Sequence, residues 1–409
     1  MKLFKHQQNI INDDPKKCGL FLGTGSSKTR TALELAEGKI LVIAPKTQVL
    51  DKNWQRENKK WNLNKDLTIM SKENVRRDFL DIPYYDTVIL DEADTMAGVT
   101  TSIKYVKKIP MIKSSQTFDA IKFYIKTNNP KRLYLLTATP TRSAMCVYGL
   151  ATLLGKDLNY YQFRDEYYFK RERFYMAKKD VNTQNKLAKL VQSLGYVGRL
   201  QDYFDIPEQN YKNIFVDLSA AQKKRLKELP LERPEPLVLL TKKLQVENGV
   251  LSGDEYNKAE IFDNGKIEAI INYAIEFPKI IIFSRYLLQI EEIKKALEKE
   301  GKNVYVMTGN VKDRGAVLEE VNKSENYVFI VSAQISAGWE LPECPVMIFA
   351  SRTYGIADYI QGQGRILRSN ALKKNLYINL IAKGDTVDNA VHEALENKID
   401  FSEKIYLKI

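Results

Sequence analysis

The chain has 409 residues, 44% hydrophobic and 28% charged, a globular composition with room for two domains and no ~18-residue apolar window of the kind a membrane helix needs. Lysine and arginine exceed aspartate and glutamate by 63 to 51, a net charge of +12 for which a polyanion is the natural partner and an inert basic surface the ordinary alternative. Two histidines (His6, His392) and three scattered cysteines (Cys18, Cys146, Cys344) argue against a histidine-based zinc or acid–base centre and against a disulfide framework.

The opening MKLFKHQQNIINDD turns polar too early for a secretory signal, so a cytoplasmic setting without a membrane partner is expected. Short apolar runs then alternate with helical patterns: GLFL (19–22), KILVIA (39–44), LTIM (67–70), TVIL (87–90) and RLYLL (132–136). Such alternation predicts a parallel sheet covered on both faces. A lysine-bearing stretch at 97–117 (GVTTSIKYVKKIPMIKSSQ) interrupts it and reads as a surface loop, with contact to nucleic acid as the alternative. Residues 156–212 are rich in Tyr, Phe, Lys and Arg and read as helical; their aromatics either pack a small core or stack on exposed bases. After the proline-broken LPLERPEPL (229–237) the alternation returns with KIIIF (279–283), NVYVM (303–307), YVFIV (327–331), PVMIF (345–349) and LYINLI (376–381). The fold class expected is α/β with two similar domains.

Four stretches carry chemistry. GTGSSKT (23–29) joins a strand to a helix, as a phosphate-cradling loop does. There Gly23, Thr24, Gly25, Ser26 and Ser27 supply backbone N–H groups, Lys28 reaches the β/γ oxygens of ATP, and the Thr29 hydroxyl ligates Mg²⁺. Ser27 stands where such loops place glycine; it fits at negative φ, whereas positive φ would cost serine roughly 1–2 kcal/mol. VILDEAD ends a strand on two carboxylates, Asp91 for Mg²⁺ and Glu92 to polarise the attacking water, although a solvated turn would read the same. LLTATPTRS (135–143) places Thr137 and Thr139 where they could link that acidic pair to a ligand across a cleft. In YIQGQGRILRS, Arg365 and Arg368 share one face if helical and suit arginine fingers, or else a solvated basic face.

Taken in order, these stretches resemble a superfamily-two helicase, a motor of two RecA-like domains with an ATP cleft between them. Within it they resemble the Snf-type branch of DNA translocases, in a minimal phage or bacterial form. The resemblance implies RecA-like domain 1 over 1–155, a helical aromatic and basic insertion and linker over 156–217, and RecA-like domain 2 over 218–409. LFKHQ implies Gln7 on the adenine. VIAPKTQVLDKNWQRENKKW implies DNA-backbone contact by Lys46 and Thr47. IIIFSRY, VYVMTGNVKDR and VSAQISAGWELPECPVMIFAS imply a nucleic-acid track of Ser284, Arg285, Thr308, Gly309 and Ser332, with Gly338 and Glu340 facing the nucleotide. Gln361, Arg365 and Arg368 fall in the arginine motif and are implied to be catalytic with Lys28, Asp91 and Glu92.

Ser27, the final aspartate of DEAD, the glycine-free LTATP and the Trp339–Glu340 pair depart from the Snf-type pattern. The function implied is an ATP- and Mg²⁺-dependent DNA helicase or translocase, monomeric, acting on double-stranded or branched DNA in replication, recombination or repair. An RNA helicase and a nucleotide-responsive DNA-binding protein without hydrolysis are the alternatives.

Overall fold

A strand covered on both faces has no water-facing side, so its residues are apolar throughout. In the computed structural model, ILVIA (Ile40–Ala44), TVILD (Thr87–Asp91), RLYLL (Arg132–Leu136), YVFIVS (Tyr327–Ser332) and VMIF (Val346–Phe349) are each buried along their whole length. The structure describes residues 2–50, 52–106, 109–171, 174–232, 234–253, 257–311, 313–335, 339–367 and 374–397. These divide into two compact units, Met1–Asp205 and Ile206–Ile409.

The first unit begins with α1 (Lys5–Asp13), β1 (Lys17–Leu22), α2 (Lys28–Leu35), β2 (Ile40–Ala44), α3 (Lys46–Leu50) and α4 (Asn53–Lys60). It continues with β3 (Leu67–Ser71), α5 (Lys72–Asp78), β4 (Thr87–Asp91), β5 (Val99–Val106), β6 (Ile109–Ser114), α6 (Gln116–Asn128), β7 (Arg132–Leu136) and α7 (Ala144–Leu153). Then come α8 (Tyr160–Tyr167), β8 (Tyr168–Arg171), β9 (Phe174–Ala177), α9 (Val181–Leu194) and β10 (Gly195–Gly198). Six parallel strands form its sheet in the order β10-β1-β7-β4-β2-β3.

The second unit contains β11 (Gln209–Val216), α10 (Ala220–Glu228), α11 (Pro236–Glu247), the short pair β12 (Val250–Leu251) and β13 (Glu260–Ile261), α12 (Gly265–Glu276) and β14 (Lys279–Ser284). It ends with α13 (Leu287–Lys299), β15 (Val304–Met307), α14 (Arg314–Lys323), β16 (Tyr327–Ser332), β17 (Val346–Phe349), α15 (Ile356–Gln363), β18 (Asn375–Ala382) and α16 (Val387–Glu396). Its sheet is again six-stranded and parallel, β11-β18-β17-β14-β16-β15. Each unit is a RecA-like α/β domain. Among the described residues no helix is long and apolar enough to cross a membrane.

Residues 156–217, read from sequence as a helical insertion and linker, depart from that description. They hold two helices, the β8–β9 hairpin, and the edge strands β10 and β11, so their C-terminal part supplies one edge strand to each sheet. Tyr160, Phe163, Tyr167 and Tyr168 are buried in the main core of the first unit, where Tyr148 of α7 lies edge-on to both Tyr160 and Phe163. Tyr161 and Phe169 stay exposed. The 97–117 stretch is not a loop but the β5–β6 hairpin, with Ile103 and Ile112 against the core and the Tyr160 hydroxyl donating to the carbonyls of Thr100 and Ser102.

The second unit encloses a charged network. The Lys266 ammonium, 1% exposed, donates to Asp388 Oδ2 (2.7 Å), Asn248 Oδ1 (2.7 Å) and the Ala350 carbonyl (3.1 Å). Asp388 Oδ2 also accepts from the Ala382 amide (2.8 Å), and the Arg352 guanidinium lies 3.7 Å from Oδ1. Glu247 accepts from the amides of Val387 (3.1 Å) and Asp388 (2.9 Å) at the start of α16. The network therefore ties α11, α12, α16 and the ends of β17 and β18 together.

Truncating one member of a buried pair strands the other charge away from water. Asp388→Ala is expected to lower stability by about 3–5 kcal/mol, read from urea unfolding. His392 Nδ1 accepts from Arg352 Nη1 (2.7 Å), and burial, helped by the Arg352 charge, pushes its pKa down to about 4. The unfolded chain takes up this proton near pH 6.5 and the folded one only near 4, so stability present above pH 6.5 is lost on acidification towards 4. Burial pushes Glu247 the other way, up to about 7, so that group opposes the trend. His392→Asn, which keeps an acceptor for Arg352, should therefore flatten the fall of the urea midpoint between pH 6.5 and 4 relative to wild type.

Candidate nucleotide site

Strands β1, β7 and β4 are neighbours, so the segments leaving their C-terminal ends lie side by side. These are GTGSSKT, TATPT and the acidic DEAD stretch. Open parallel sheets bind ligands at this edge.

The phosphate-type loop is held from several directions. Gly23 donates its amide to the Gly198 carbonyl (2.8 Å), and a Cβ there would sit 3.1 Å from the Leu200 nitrogen, so any larger residue would crowd that backbone. Ser26 Oγ donates to the Gly23 carbonyl (2.5 Å), while His6 Nε2 donates to the Ser26 carbonyl (3.1 Å), which places the His6 proton on that nitrogen. Lys28 Nζ folds onto the carbonyls of Leu22 (2.8 Å) and Gly23 (3.1 Å), against the loop that would cradle a phosphate. Thr24 and Gly25 are partly exposed in the loop, and Thr29 sits in the first turn of α2 with its neighbours' amides at the helix N-terminus.

Ser27 takes the costly branch of the sequence reading. Its backbone is left-handed, φ 60° and ψ 38°, two residues after Gly25 at φ 79°. The conformation is held by what its carbonyl receives: the Thr31 amide (3.1 Å), Thr31 Oγ1 (3.1 Å) and Gln7 Nε2 (3.4 Å). Gln7 is wholly buried; its Oε1 accepts from the Phe4 amide (3.0 Å), and its Nε2 also donates to Thr31 Oγ1 (3.2 Å). In this structure, then, the Gln7 amide braces the loop, whereas the resemblance implies a contact with the base.

The acidic stretch splits into two tasks. Asp91, 6% exposed, accepts from Trp54 Nε1 on Oδ2 (2.9 Å) and from the Glu92 amide on Oδ1 (3.1 Å). Burial raises its pKa, against the Trp54 hydrogen bond and the nearby Lys28 charge. Glu92 follows at φ 53°, its carbonyl accepting from the amide and the hydroxyl of Thr95 (both 2.9 Å). Asp94, the last residue of DEAD, accepts from Thr137 Oγ1 (2.7 Å) and Thr139 Oγ1 (3.2 Å). The two threonines therefore bond the final aspartate, which sequence reasoning left out, in place of the Asp91–Glu92 pair.

The donor set fits a magnesium nucleotide. Thr29 and Asp91 offer two hard oxygen ligands, a hydroxyl and a carboxylate. That suits an ion that dehydrates reluctantly and takes one or two protein oxygens beside phosphate and water.

Lys46 is exposed and Thr47 half-buried on α3, at the end of β2. In the second unit Ser284, Ser332 and Thr308–Gly309 follow the adjacent strands β14, β16 and β15, so they line up along one sheet edge. Ser284 is fully buried there, its hydroxyl 2.6 Å from Gln289 Oε1, because the strand end is packed against α13 and Ser351. Arg285 stacks over Tyr354 (4.0 Å to the ring centroid) and Ser332 is buried, while Gly309 is exposed. Gln361 is buried on α15. That helix ends at Gln363, since Gly362 and Gly364 are poor helix formers, so Arg365 lies in the following turn. Arg365 Nη1 donates to the Trp339 carbonyl (2.9 Å); the Trp339 ring fills the core between Phe283 and Phe329, which accounts for its size there. Glu340 is exposed, and Gly338 and Arg368 lie outside the described residues.

Ser27→Gly removes the left-handed penalty of about 1–2 kcal/mol, so nucleotide affinity in an equilibrium titration with a fluorescent ATP analogue should rise by no more than about thirtyfold. A turnover gain above about a hundredfold would mark the serine as a defect.

Residues 265–370 match the helicase conserved C-terminal domain family. Among curated proteins no sequence matches this chain. The helicase domain of Hef from Pyrococcus furiosus is similar in structure over 96% of this chain and 98% of its own, with 16% identity and a TM-score of 0.50, a likeness of fold. The SWI2/SNF2 ATPase core of Sulfolobus solfataricus, solved in complex with dsDNA, aligns over 100% of this chain and 93% of its own at 17% identity, with a TM-score of 0.41 that is too loose to carry weight. The chain thus contains two RecA-like domains, and the match to the helicase conserved C-terminal domain family falls in the second.

Proposed function

We propose that the chain is an ATP-dependent DNA helicase or translocase of superfamily two, coupling ATP hydrolysis to movement along double-stranded or branched DNA. The observation that carries this reading is the row of elements along one sheet edge. The phosphate-type loop, the threonines bound to Asp94, and Asp91 with Glu92 leave three adjacent strands of a chain whose second unit matches a helicase domain.

In this reading the amides of residues 23–29 and the Lys28 ammonium take the β- and γ-phosphates once Lys28 leaves the carbonyls it now contacts. Thr29 and Asp91 would hold Mg²⁺, which neutralises charge on the phosphates. Glu92 orients and polarises the attacking water. Arg365 and Arg368 are proposed, from the sequence resemblance, as the cations that stabilise the transferring phosphoryl group. Lys46, Thr47, Arg285, Thr308 and Gly309 are proposed to meet the DNA backbone, for which the +12 charge is suited.

The test is phosphate release measured with blunt duplex, forks, Holliday junctions, single-stranded DNA and RNA. Wild type should be stimulated most by duplex or branched DNA, and Lys28→Ala should lose at least about a hundredfold in turnover. Stimulation by RNA alone would make the chain an RNA helicase. Nucleotide-dependent DNA binding with no turnover, or full turnover in Lys28→Ala, would remove the motor reading.

A further inference from the structure

Asp91 is held on both oxygens, and one of its holders comes from far away in sequence. Oδ1 takes the amide of the next residue, Glu92, whereas Oδ2 takes the indole N–H of Trp54 at 2.9 Å. Trp54 is 0% exposed, and its ring is packed in the apolar layer with Val42, Ala44, Ile89 and Leu136, so neither the ring nor its N–H has freedom to turn away. A buried indole donor without an acceptor would be left unsatisfied, which makes the pairing with Asp91 mutual. The same helix, α4, is followed directly by its C-cap residue Trp61, two turns further on. There the Arg30 guanidinium of α2 lies 3.9 Å from the Trp61 ring centroid, and Trp61 Nε1 donates to Glu57 Oε2 at 2.7 Å. Helix α4 thus grips both the helix that begins with Lys28–Thr29 and the strand end that carries Asp91.

Resting on the reading of Asp91 as a ligand of magnesium nucleotide, we infer that Trp54 is a positioning residue for the metal-binding carboxylate. By occupying one lone pair of Oδ2 it fixes the carboxylate plane, so that the remaining oxygen sites keep one direction relative to α2. Partners of this kind, one step behind a metal ligand, typically change metal affinity by ten- to a hundredfold when removed.

The full chain is titrated with Mg²⁺ from EDTA in the presence of a fluorescent ADP analogue. Trp54→Phe, which keeps an aromatic ring but removes the N–H, should raise the half-saturating Mg²⁺ by about ten- to a hundredfold. It should leave metal-free ADP affinity within about twofold, and Trp54→His, which restores an N–H donor on a smaller ring, should recover part of the loss. An unchanged Mg²⁺ requirement in the phenylalanine variant, an equal loss of metal-free affinity, or a histidine variant no better than phenylalanine would overturn the inference. Should the phenylalanine chain not fold, a chain carrying Trp61→Phe and Trp339→Phe leaves Trp54 as its sole indole, since the sequence has three tryptophans. Mn²⁺ added with ADP should quench that emission over the range in which the nucleotide saturates, and no quenching would overturn the inference. A wild-type chain with no metal-dependent nucleotide binding would instead bring down the functional reading, and this inference with it.

Discussion

One row of backbone pairing sets the geometry of the first unit. Leu20 of β1 pairs with Leu136 of β7, and Leu136 pairs with Asp91 of β4, so three strand ends stand level across the sheet. Parallel strands lie about 4.8 Å apart, which puts Asp91 roughly 10 Å from Leu20, three residues before the loop that starts at Gly23. A slip of one residue in the β7–β4 pairing would turn Asp91 to the opposite face and leave Trp54 Nε1 buried with nothing to accept its proton. The apolar faces of the strands hold the register, and the register places the carboxylate.

The second unit secures its strand ends by other means. Where the first unit uses a tryptophan against a carboxylate, the second uses a buried lysine, Lys266, among Asp388, Asn248 and the Ala350 carbonyl. Such a site is weak evidence for stability, because desolvating the charges costs about as much as their attraction returns. Its consequence is geometric: α11, α12 and α16 cannot shift independently without opening the network. Arg352 extends it from the end of β17 to His392.

The central strands were legible because burial on both faces leaves continuous apolar runs, and each of the ten runs named from sequence, the edge strands β3 and β15 included, matches a strand to within one residue. The edge strands β10 and β11 were not, since water on their open side allows polar residues such as those of QNYKNIFV. The hairpins failed for a related reason: β5 and β6 bury Ile103 and Ile112, but lysines between them look like a solvated loop. In the nucleotide site, residues defined by local chain order could be named in advance. Contacts that span the fold could not: Trp54 reaches Asp91 across 37 positions, and Gln7 reaches Ser27 across 20. The φ of Ser27 was also open, because a serine there is compatible with either sign until the loop's hydrogen bonds are known.

Those hydrogen bonds give α1 a part in the loop that its distance in sequence conceals. Gln7 and His6 each reach a loop carbonyl, Ser27 and Ser26 in turn, and both come from this one helix. The left-handed serine is thus stabilised partly by a segment that precedes the sheet altogether. Anyone trimming the chain to the strand-bounded α/β core, from Lys17 onward, would remove the brace and keep the loop. Such a fragment could retain every residue from Gly23 to Thr29 and still relax Ser27 out of the conformation that shapes the cradle.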